Sequence, residues 1–205
     1  MLSRITLQRL KVHLGLRVPA EYFERIYAAS PDPWNYTSSD YESQKYAFTL
    51  NSLSRDHYSS ALEIGCSIGV MTKQLAGRCD RLLSVDLVEC AVQQARQRCA
   101  SETHVEFAQM RVPEDWPKGS FDLIVISEVL SYLTAAELDA LVVRLRHSLA
   151  FAGEIILVHH WRGRMRWLSE TNRRHGRLIA LVRDFARVIR HESKKHYRLD
   201  LLHHV

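Results

Sequence analysis

Long apolar runs and paired cysteines are both missing from this chain of 205 residues. A membrane-spanning helix needs about 18 or more consecutive apolar residues, and no stretch approaches that length, so no transmembrane segment is expected. The chain contains no Cys-x-x-Cys pair, which argues against a disulfide framework or a zinc site. Unpaired thiols are typical of a reducing compartment. We therefore expect a cytoplasmic protein without a metal cofactor, in which four cysteines stay reduced: Cys66, Cys79, Cys90 and Cys99.

The first 16 residues also lack the continuous apolar core and the small-residue cleavage site of a secretory signal. This stretch is basic and amphipathic, with Arg4, Arg9 and Lys11 set among apolar residues. Two interpretations stay open. The stretch forms an N-terminal helix packed on the domain, or it makes weak contact with a membrane surface.

Length and patterning indicate one α/β domain. A chain of 205 residues can bury one substantial core and is short for two. From residue 61 onward, short apolar runs alternate with helical patterns, which predicts βαβ units in a mostly parallel sheet. We expect a helical cover over 1–58, a cofactor-binding core over 59–160, and a helix with a terminal antiparallel hairpin over 161–205. The predicted strands are 61–64, 81–85, 104–109, 121–127, 154–160, 187–191 and 196–202, and the predicted helices are 19–27, 40–50, 70–76, 88–100, about 129–133, 135–149 and 178–185.

The motif ALEIGCSIGVMT at 61–72 runs from a short strand through small residues into a helical pattern. Such a loop lets the backbone approach a ligand at a helix N-terminus. Dinucleotide loops need glycine where this chain has Ser67. Glu63 would repel phosphates but attract ammonium and sulfonium charges. The loop, with Glu63, Gly65, Ser67 and Gly69, therefore predicts a site for the methyl donor S-adenosylmethionine.

Further cofactor contacts are predicted at the ends of the neighbouring strands. Asp86 follows the first glycine by about twenty residues, the spacing that lets an acid accept the ribose hydroxyls, although an aspartate there can also cap the next helix. Leu87 and Met110 would contact adenine, and backbone groups near Arg111 would bind its edge. Met110 also suits a plain core position. At the end of the fourth strand, Ser127 and Glu128 should flank the methionyl part, and Val129 should continue the same crevice wall.

Aromatic and histidine side chains indicate the acceptor side. The aromatic residues at 34–41 either close over a ligand or belong to the core. The fifth strand ends in two histidines and is followed by a tryptophan, and there an imidazole or a carboxylate could take the proton of an amine. Strand alternation turns one of the histidines away. We predict His159 as the general base with Glu128 second, Trp34 at the cofactor, and four acceptor contacts: Tyr36, Tyr41, His160 and Trp161.

Arginines are dense in the last 45 residues, and the formal net charge is +5. They are spread over predicted helix and strand without a recognisable binding module, which favours a solvated face. Two alternatives are binding of nucleic acid through counterion release and a groove for an oligosaccharide or an acidic ligand. No nucleic-acid partner is expected.

Several motifs resemble those of class I S-adenosylmethionine-dependent methyltransferases: LEIGCSIG at 62–69, LSVD at 83–86 and FDLI at 121–124. A narrower set, DPW at 32–34, YESQKY at 41–46, SEVLSYL at 127–133 and YRLDLL at 197–202, is similar to the rhizobial nodulation protein S family of N-methyltransferases, over nearly the whole chain. The resemblance implies a doubly wound, Rossmann-like sheet of seven strands in the order 3-2-1-4-5-7-6, and S-adenosylhomocysteine as product. It also implies methylation of the free amine on the terminal glucosamine of a deacetylated chitooligosaccharide, in the synthesis of lipochitooligosaccharide nodulation signals.

Two other classes of function stay open: a methyltransferase acting on RNA, protein or another small amine, and a non-catalytic cofactor-binding module. Enzymes that methylate base amines often carry an (Asp/Asn)-Pro-Pro-aromatic turn after the fourth strand. This chain has SEVL at 127–130 instead, which argues against a nucleic-acid base as acceptor.

Overall fold

The computed structural model describes residues 17–160 and 166–205, with the side chains of 166–169 left out. The two interpretations of residues 1–16 and the acceptor role predicted for Trp161 lie outside the described residues. Within the described ranges, no helix combines the length and the apolar character needed to cross a bilayer.

Two helices precede the sheet, close to where the sequence predicts them. Helix α1 (Ala20–Ala29) follows Pro19. Helix α2 (Asp40–Asn51) begins after Ser39, whose hydroxyl accepts the backbone N–H of Glu42. The acidic first turn of α2 complements the positive end of the helix dipole.

The sheet has seven strands in the order β3-β2-β1-β4-β5-β7-β6, which confirms the predicted order. Strands β1 to β5 pair in parallel, and β7 is antiparallel to both of its neighbours. The strands are β1 (Ala61–Ile64), β2 (Leu82–Asp86), β3 (Val105–Gln109), β4 (Phe121–Ser127), β5 (Leu149–His160), β6 (Ala186–Ser193) and β7 (Tyr197–His204). The remaining helices are α3 (Val70–Ala76), α4 (Glu89–Arg98), α5 (Ala135–Ser148) and α6 (Arg166–Leu181), with a 3-10 turn at Leu130–Tyr132.

Apolar side chains pack on both faces of the sheet. Leu62 and Ile124 belong to the layer that includes α5 and α6. Leu123 and Val125 belong to the layer on the other face, which includes α2 and α3. Because both faces are covered, the central strands read as continuous apolar runs rather than as alternating ones.

Two elements begin earlier than the sequence predicts. Strand β5 starts directly after α5, at Leu149 rather than near residue 154, and its pairing with β4 shifts register between Phe121 and Leu123. Helix α6 covers Arg166–Leu181 rather than 178–185. Its inward face carries the buried polar residues Thr171 and His175, so the apolar spacing on which the prediction relied is interrupted there.

Candidate active site

A cavity of about 390 Å³ opens at the carboxyl ends of the parallel strands, beneath α1 and α2. Its walls come from the ends of β1, β2, β4 and β5, from the segment after β3, and from the two covering helices. Doubly wound sheets bind their ligands at this edge. We call this cavity the crevice.

The glycine loop after β1 forms one wall of the crevice. Gly65 has φ +89°, and a Cβ atom there would lie 2.6 Å from the carbonyl oxygen of Ser127, so only glycine lets the loop pass the end of β4. Ser67 is also left-handed, with φ +50°. Its hydroxyl lies 2.5 Å from the hydroxyl of Tyr27, which ties the loop to α1.

Asp86 ends β2 and faces the crevice. Its Oδ2 accepts the backbone N–H of Ser67 at 2.9 Å, and its Oδ1 accepts that of Val88 at 3.1 Å. Burial raises the pKa of Asp86, and these backbone donors act against that shift. A carboxylate has about four acceptor sites, so capacity remains for ligand hydroxyls. The side chain thus shapes the loop and presents acceptor oxygens to the crevice.

The predicted adenine contacts Leu87, Met110 and Arg111 all line the crevice. Met110 also packs against the apolar layer of α5, so both interpretations of this residue agree with its position. The backbone N–H of Arg111 donates to Asp115 Oδ2 at 3.0 Å. That N–H is therefore already bonded, and other groups of the segment would have to meet the adenine edge.

Glu63 lies behind the loop rather than in the crevice. Its Oε2 accepts the hydroxyls of Thr72 at 2.6 Å and Ser84 at 2.7 Å, and burial raises its pKa to about 6. Its Oε1 has no hydrogen-bond partner among the residues that the structure describes. It borders a second cavity of about 30 Å³ that shares Gly65 and Ser67 with the crevice, which is room for about one water molecule. The direct contact with the donor that the sequence predicts for Glu63 is therefore corrected: Glu63 lies behind the glycine loop and does not line the crevice.

Gly69 also lies away from the crevice lining that the structure describes. Its φ is +78°, and a Cβ atom there would lie 2.8 Å from the Cβ of Ala95. The predicted ligand contact is therefore corrected: Gly69 lets α3 pack closely against α4.

Charged side chains meet at the acceptor end of the crevice. Glu128 follows β4 with φ +58°, and its carboxylate accepts Lys45 Nζ at 2.8 Å and the backbone N–H of His160 at 2.9 Å. Lys45 Nζ also lies 2.8 Å from Glu42 Oε2. Ser127 and Val129 line the crevice beside Glu128, and their contact with the methionyl part stays a prediction.

The two histidines at the end of β5 face opposite ways. His160 lines the crevice, with its Nδ1 3.4 Å from the hydroxyl of Tyr41. His159 is 1% exposed, and its Nδ1 lies 2.6 Å from His175 Nδ1. Burial, with His175 nearby, lowers the pKa of His159 to about 2. The placement predicted for His159 is therefore wrong, because β5 turns it to the face that α6 covers, and Glu128 is the candidate base that the crevice contains.

The aromatic residues for which a cover and a core position were both open line the crevice: Trp34, Tyr36 and Tyr41. The rings of Trp34 and Tyr36 stack with their centroids 5.6 Å apart. Phe23 joins the cover and contacts Tyr132 edge to face, with 4.8 Å between ring centroids.

The profile of the family described as Nodulation protein S (NodS) matches residues 21–162, more than half of the chain. The chain belongs to the nodulation protein S family. A family member from Bradyrhizobium diazoefficiens is 39% identical over 106 residues, which are 51% of this chain and 51% of that relative. The chain spans about half the length of the curated relatives it matches.

Two solved structures are similar in fold. A candidate methyltransferase from Pseudomonas syringae has a TM-score of 0.67 and 34% identity, covering 80% of this chain and 98% of that one. The N-methyltransferase NodS from Bradyrhizobium japonicum WM9, solved in complex with S-adenosylhomocysteine, has a TM-score of 0.77 and 24% identity, covering 90% of this chain and 97% of that one. At that identity the second match supports the fold.

The sequence prediction missed several residues of this family member's crevice, above all Lys45 and Glu42. A signal was present in the sequence. The two are spaced i, i+3 in a helix that also carries aromatic residues, and such a pair on an inward face indicates a buried ion pair. Arg17 was missed as well; it lines the crevice and pairs with Glu137, with 2.9 Å between Arg17 Nε and Glu137 Oε1.

Proposed function

We propose that this chain is an S-adenosylmethionine-dependent N-methyltransferase. Its proposed acceptor is the free amine on the terminal glucosamine of a deacetylated chitooligosaccharide, in the synthesis of nodulation signals. The observation that carries the proposal is one crevice in which a glycine loop and Asp86 adjoin a carboxylate, Glu128, at the acceptor end.

The residues of the crevice fit the methyl donor. When bound, S-adenosylmethionine supplies a methyl group on a sulfonium for transfer to a nucleophile. Asp86 would accept the ribose hydroxyls, and Leu87 and Met110 would contact adenine. The glycine loop at Gly65 and Ser67 lines the crevice next to the end of β4, and its backbone would contact the methionyl part. The lining cations Arg17 and Lys45 are already paired with carboxylates, and the carboxylate of Asp86 attracts a cationic ligand.

Glu128 is the proposed general base. An amine arrives mostly as an ammonium ion, which a carboxylate attracts, and the nitrogen must lose a proton before its lone pair can attack. Glu128 is held in place by Lys45 and by the backbone of His160. For a displacement with a good leaving group, such positioning contributes most of the acceleration.

The substrate and its compartment are inferred from family membership together with the aromatic lining. Tyr41 and His160 flank the acceptor end, and their flat faces suit the apolar face of a sugar ring. Curated relatives carry the name Nodulation protein S. The four cysteines are free thiols, which is typical of proteins in a reducing compartment such as the proposed cytoplasm.

The test is mass spectrometry of a deacetylated chitooligosaccharide after incubation with the protein and S-adenosylmethionine. We expect a gain of one methyl group on the terminal amine, and a fully acetylated oligomer should gain none. Glu128→Gln should lower turnover at least tenfold with little change in donor affinity. His159→Gln, assayed at neutral pH, is the matched control and should keep most of the turnover.

Three outcomes would contradict parts of this proposal. Donor binding without transfer to any amine would favour a non-catalytic module. Transfer to RNA or protein but not to the sugar would overturn the acceptor. Equal losses in Glu128→Gln and His159→Gln would remove Glu128 from the role of base.

A further inference from the structure

Lys45 is a buried lysine at the acceptor end of the crevice. It is 2% exposed, and its Nζ lies 2.8 Å from both Glu42 Oε2 and Glu128 Oε1. Burial acts to lower its pKa, but the two carboxylates outweigh this and hold the pKa above its ordinary value. Lys45 is thus a fixed cation between two anions.

The cluster of Glu42, Lys45 and Glu128 carries one positive and two negative charges, so one negative charge remains. Lys45 is almost fully enclosed, whereas the side chain of Glu128 is 29% exposed. The unbalanced charge is therefore presented to the crevice through Glu128. A cationic acceptor complements this charge, and a neutral or anionic acceptor does not.

Other titratable groups surround the cluster from each packed element. Most are tyrosines, which are neutral at physiological pH, and one is a histidine. They are Tyr41 and Tyr46 from α2, Tyr36 from the segment before it, Tyr132 from the 3-10 turn, His160 from β5 and Tyr197 from β7. Lys45 is the cation in direct contact with Glu128, and the buried carboxyl Glu63 borders a small cavity that Glu128 also lines.

Stability alone gives little reason for this arrangement. Replacing a buried ion pair with apolar side chains of similar volume is often neutral or stabilising. A methionine at position 45 would fit the lining of tyrosine rings, whose centroids lie 5.7 Å and 5.6 Å from Lys45 Nζ. The buried cation indicates a role in the chemistry of the site.

We propose that Lys45 is a positioning residue for amine methylation, which keeps Glu128 ionised and aimed at the acceptor, while Glu42 supplies the second negative charge that selects an ammonium ion. This inference rests on the proposed function. In the step, the acceptor ammonium gives one proton to a carboxylate oxygen of Glu128. The freed lone pair forms the new N–C bond, and the electrons of the methyl–sulfur bond stay with sulfur. The proton then leaves Glu128 for water.

The first test compares the pH dependence of kcat/KM in the wild type, Lys45→Met and Lys45→Arg. The acceptor is the same in all three, so its own titration cancels in the comparison. Without the cation, Glu128 takes up a proton more readily, and the acidic limb of Lys45→Met should move to higher pH by about one unit or more. Lys45→Arg keeps the charge and should keep the limb.

The outcomes of this test are distinct. A lower rate at every pH with an unmoved limb would make Lys45 purely structural and overturn the inference. Absence of transfer by the wild type would instead overturn the proposed function. If Lys45→Met unfolds, Lys45→Gln takes its place, with thermal unfolding as the check on both.

The second test measures binding without turnover. Calorimetry on protein saturated with S-adenosylhomocysteine compares glucosamine, which is cationic, with N-acetylglucosamine, which is neutral. The wild type should prefer glucosamine at least tenfold, and Glu42→Gln should lose most of that preference. Equal affinity for the two sugars in the wild type would overturn the ammonium selectivity.

Discussion

At the scale of single residues, the crevice is marked by unusual backbone conformations. Ser67 and Glu128 both have positive φ values, of +50° and +58°, although neither is glycine. Such conformations cost about 1–3 kcal/mol each and persist where the surroundings hold them. Here the holding groups are Asp86 and Tyr27 for Ser67, and Lys45 and the backbone of His160 for Glu128. Strain of this kind is consistent with a preorganised site.

Asp86→Ala should weaken binding of S-adenosylmethionine by more than tenfold, a change of about 1.4 kcal/mol. The variant loses the acceptors proposed for the ribose and also the bonds to the N–H groups of Ser67 and Val88. Calorimetry measures the affinity, with Asp80→Ala as control, because Asp80 lies in the turn before the other end of β2 and its removal changes the charge equally. Unchanged affinity in Asp86→Ala would contradict the proposal that Asp86 accepts the ribose hydroxyls.

Single residues also show where sequence reasoning stops. Gly65 and Asp86 were found because their spacing along the chain reflects the geometry of a strand, a loop and the next strand. His159 and His160 differ only in which face of β5 they occupy, and the register of a strand depends on packing that the sequence does not display. Lys45 and Glu128 are 83 positions apart, so no local sequence pattern predicts their contact.

At the scale of elements, a buried polar chain joins β5, α6 and β7. His159 Nδ1 lies 2.6 Å from His175 Nδ1, and His175 Nε2 lies 2.8 Å from Asp200 Oδ2. Two neutral rings fit this row of contacts if His159 Nδ1–H donates to His175 Nδ1, with His175 Nε2 facing the Asp200 carboxylate. Burial lowers the pKa of both histidines. Polar contacts on the inner face of α6 explain why its apolar period was a poor guide to its start.

The buried contacts among His159, His175 and Asp200 predict that the protein loses stability in mild acid. The pKa of His159 is about 2 in the folded state and about 6.5 when unfolded, so between these values the unfolded state binds the extra proton. The free energy of unfolding should therefore fall as the pH drops below about 6.5, by about 1.4 kcal/mol per pH unit for this residue. His175 adds a contribution of the same sign, since its pKa is also lowered.

Urea unfolding at pH 7, 6 and 5 measures this slope. His159→Gln should flatten it, whereas His147→Gln, at an exposed position on α5, should leave it unchanged. Asp200 does not interfere in this range: burial acts to raise its pKa, but hydrogen bonds from His175 and Arg198 lower it to about 2, so its contribution is lost only below about pH 4. Equal slopes in the two variants would contradict the assignment.

At the scale of the whole molecule, the order of the sheet was predictable because the evidence for it is spread over most of the sequence and does not depend on any single residue. Alternation of strand and helix patterns predicts parallel crossovers, and the motifs placed on that framework resemble one family. Charge is different, since the excess of basic residues says nothing about their partners. In the folded chain many of them are paired: Arg177 lies 2.7 Å from Asp139, Arg173 lies 2.9 Å from Glu170, and Arg146 pairs with Asp184.

This pairing predicts weak binding of RNA. A nucleic-acid site presents several cations to phosphates, and each contact steepens the dependence of affinity on salt, by about 0.7 in log–log slope for single strands. Because many arginines near the C-terminus already bind carboxylates, a single-stranded RNA oligomer should bind no tighter than about 10⁻⁴ M at physiological salt.

Fluorescence anisotropy between 50 and 200 mM salt, values that bracket this condition, should give a slope near zero. Asp139→Asn frees Arg177 and should steepen the slope, which shows that the assay can detect one added contact. A steep slope in the wild type, together with methyl transfer to RNA in the mass-spectrometric assay, would replace the sugar with RNA as the acceptor.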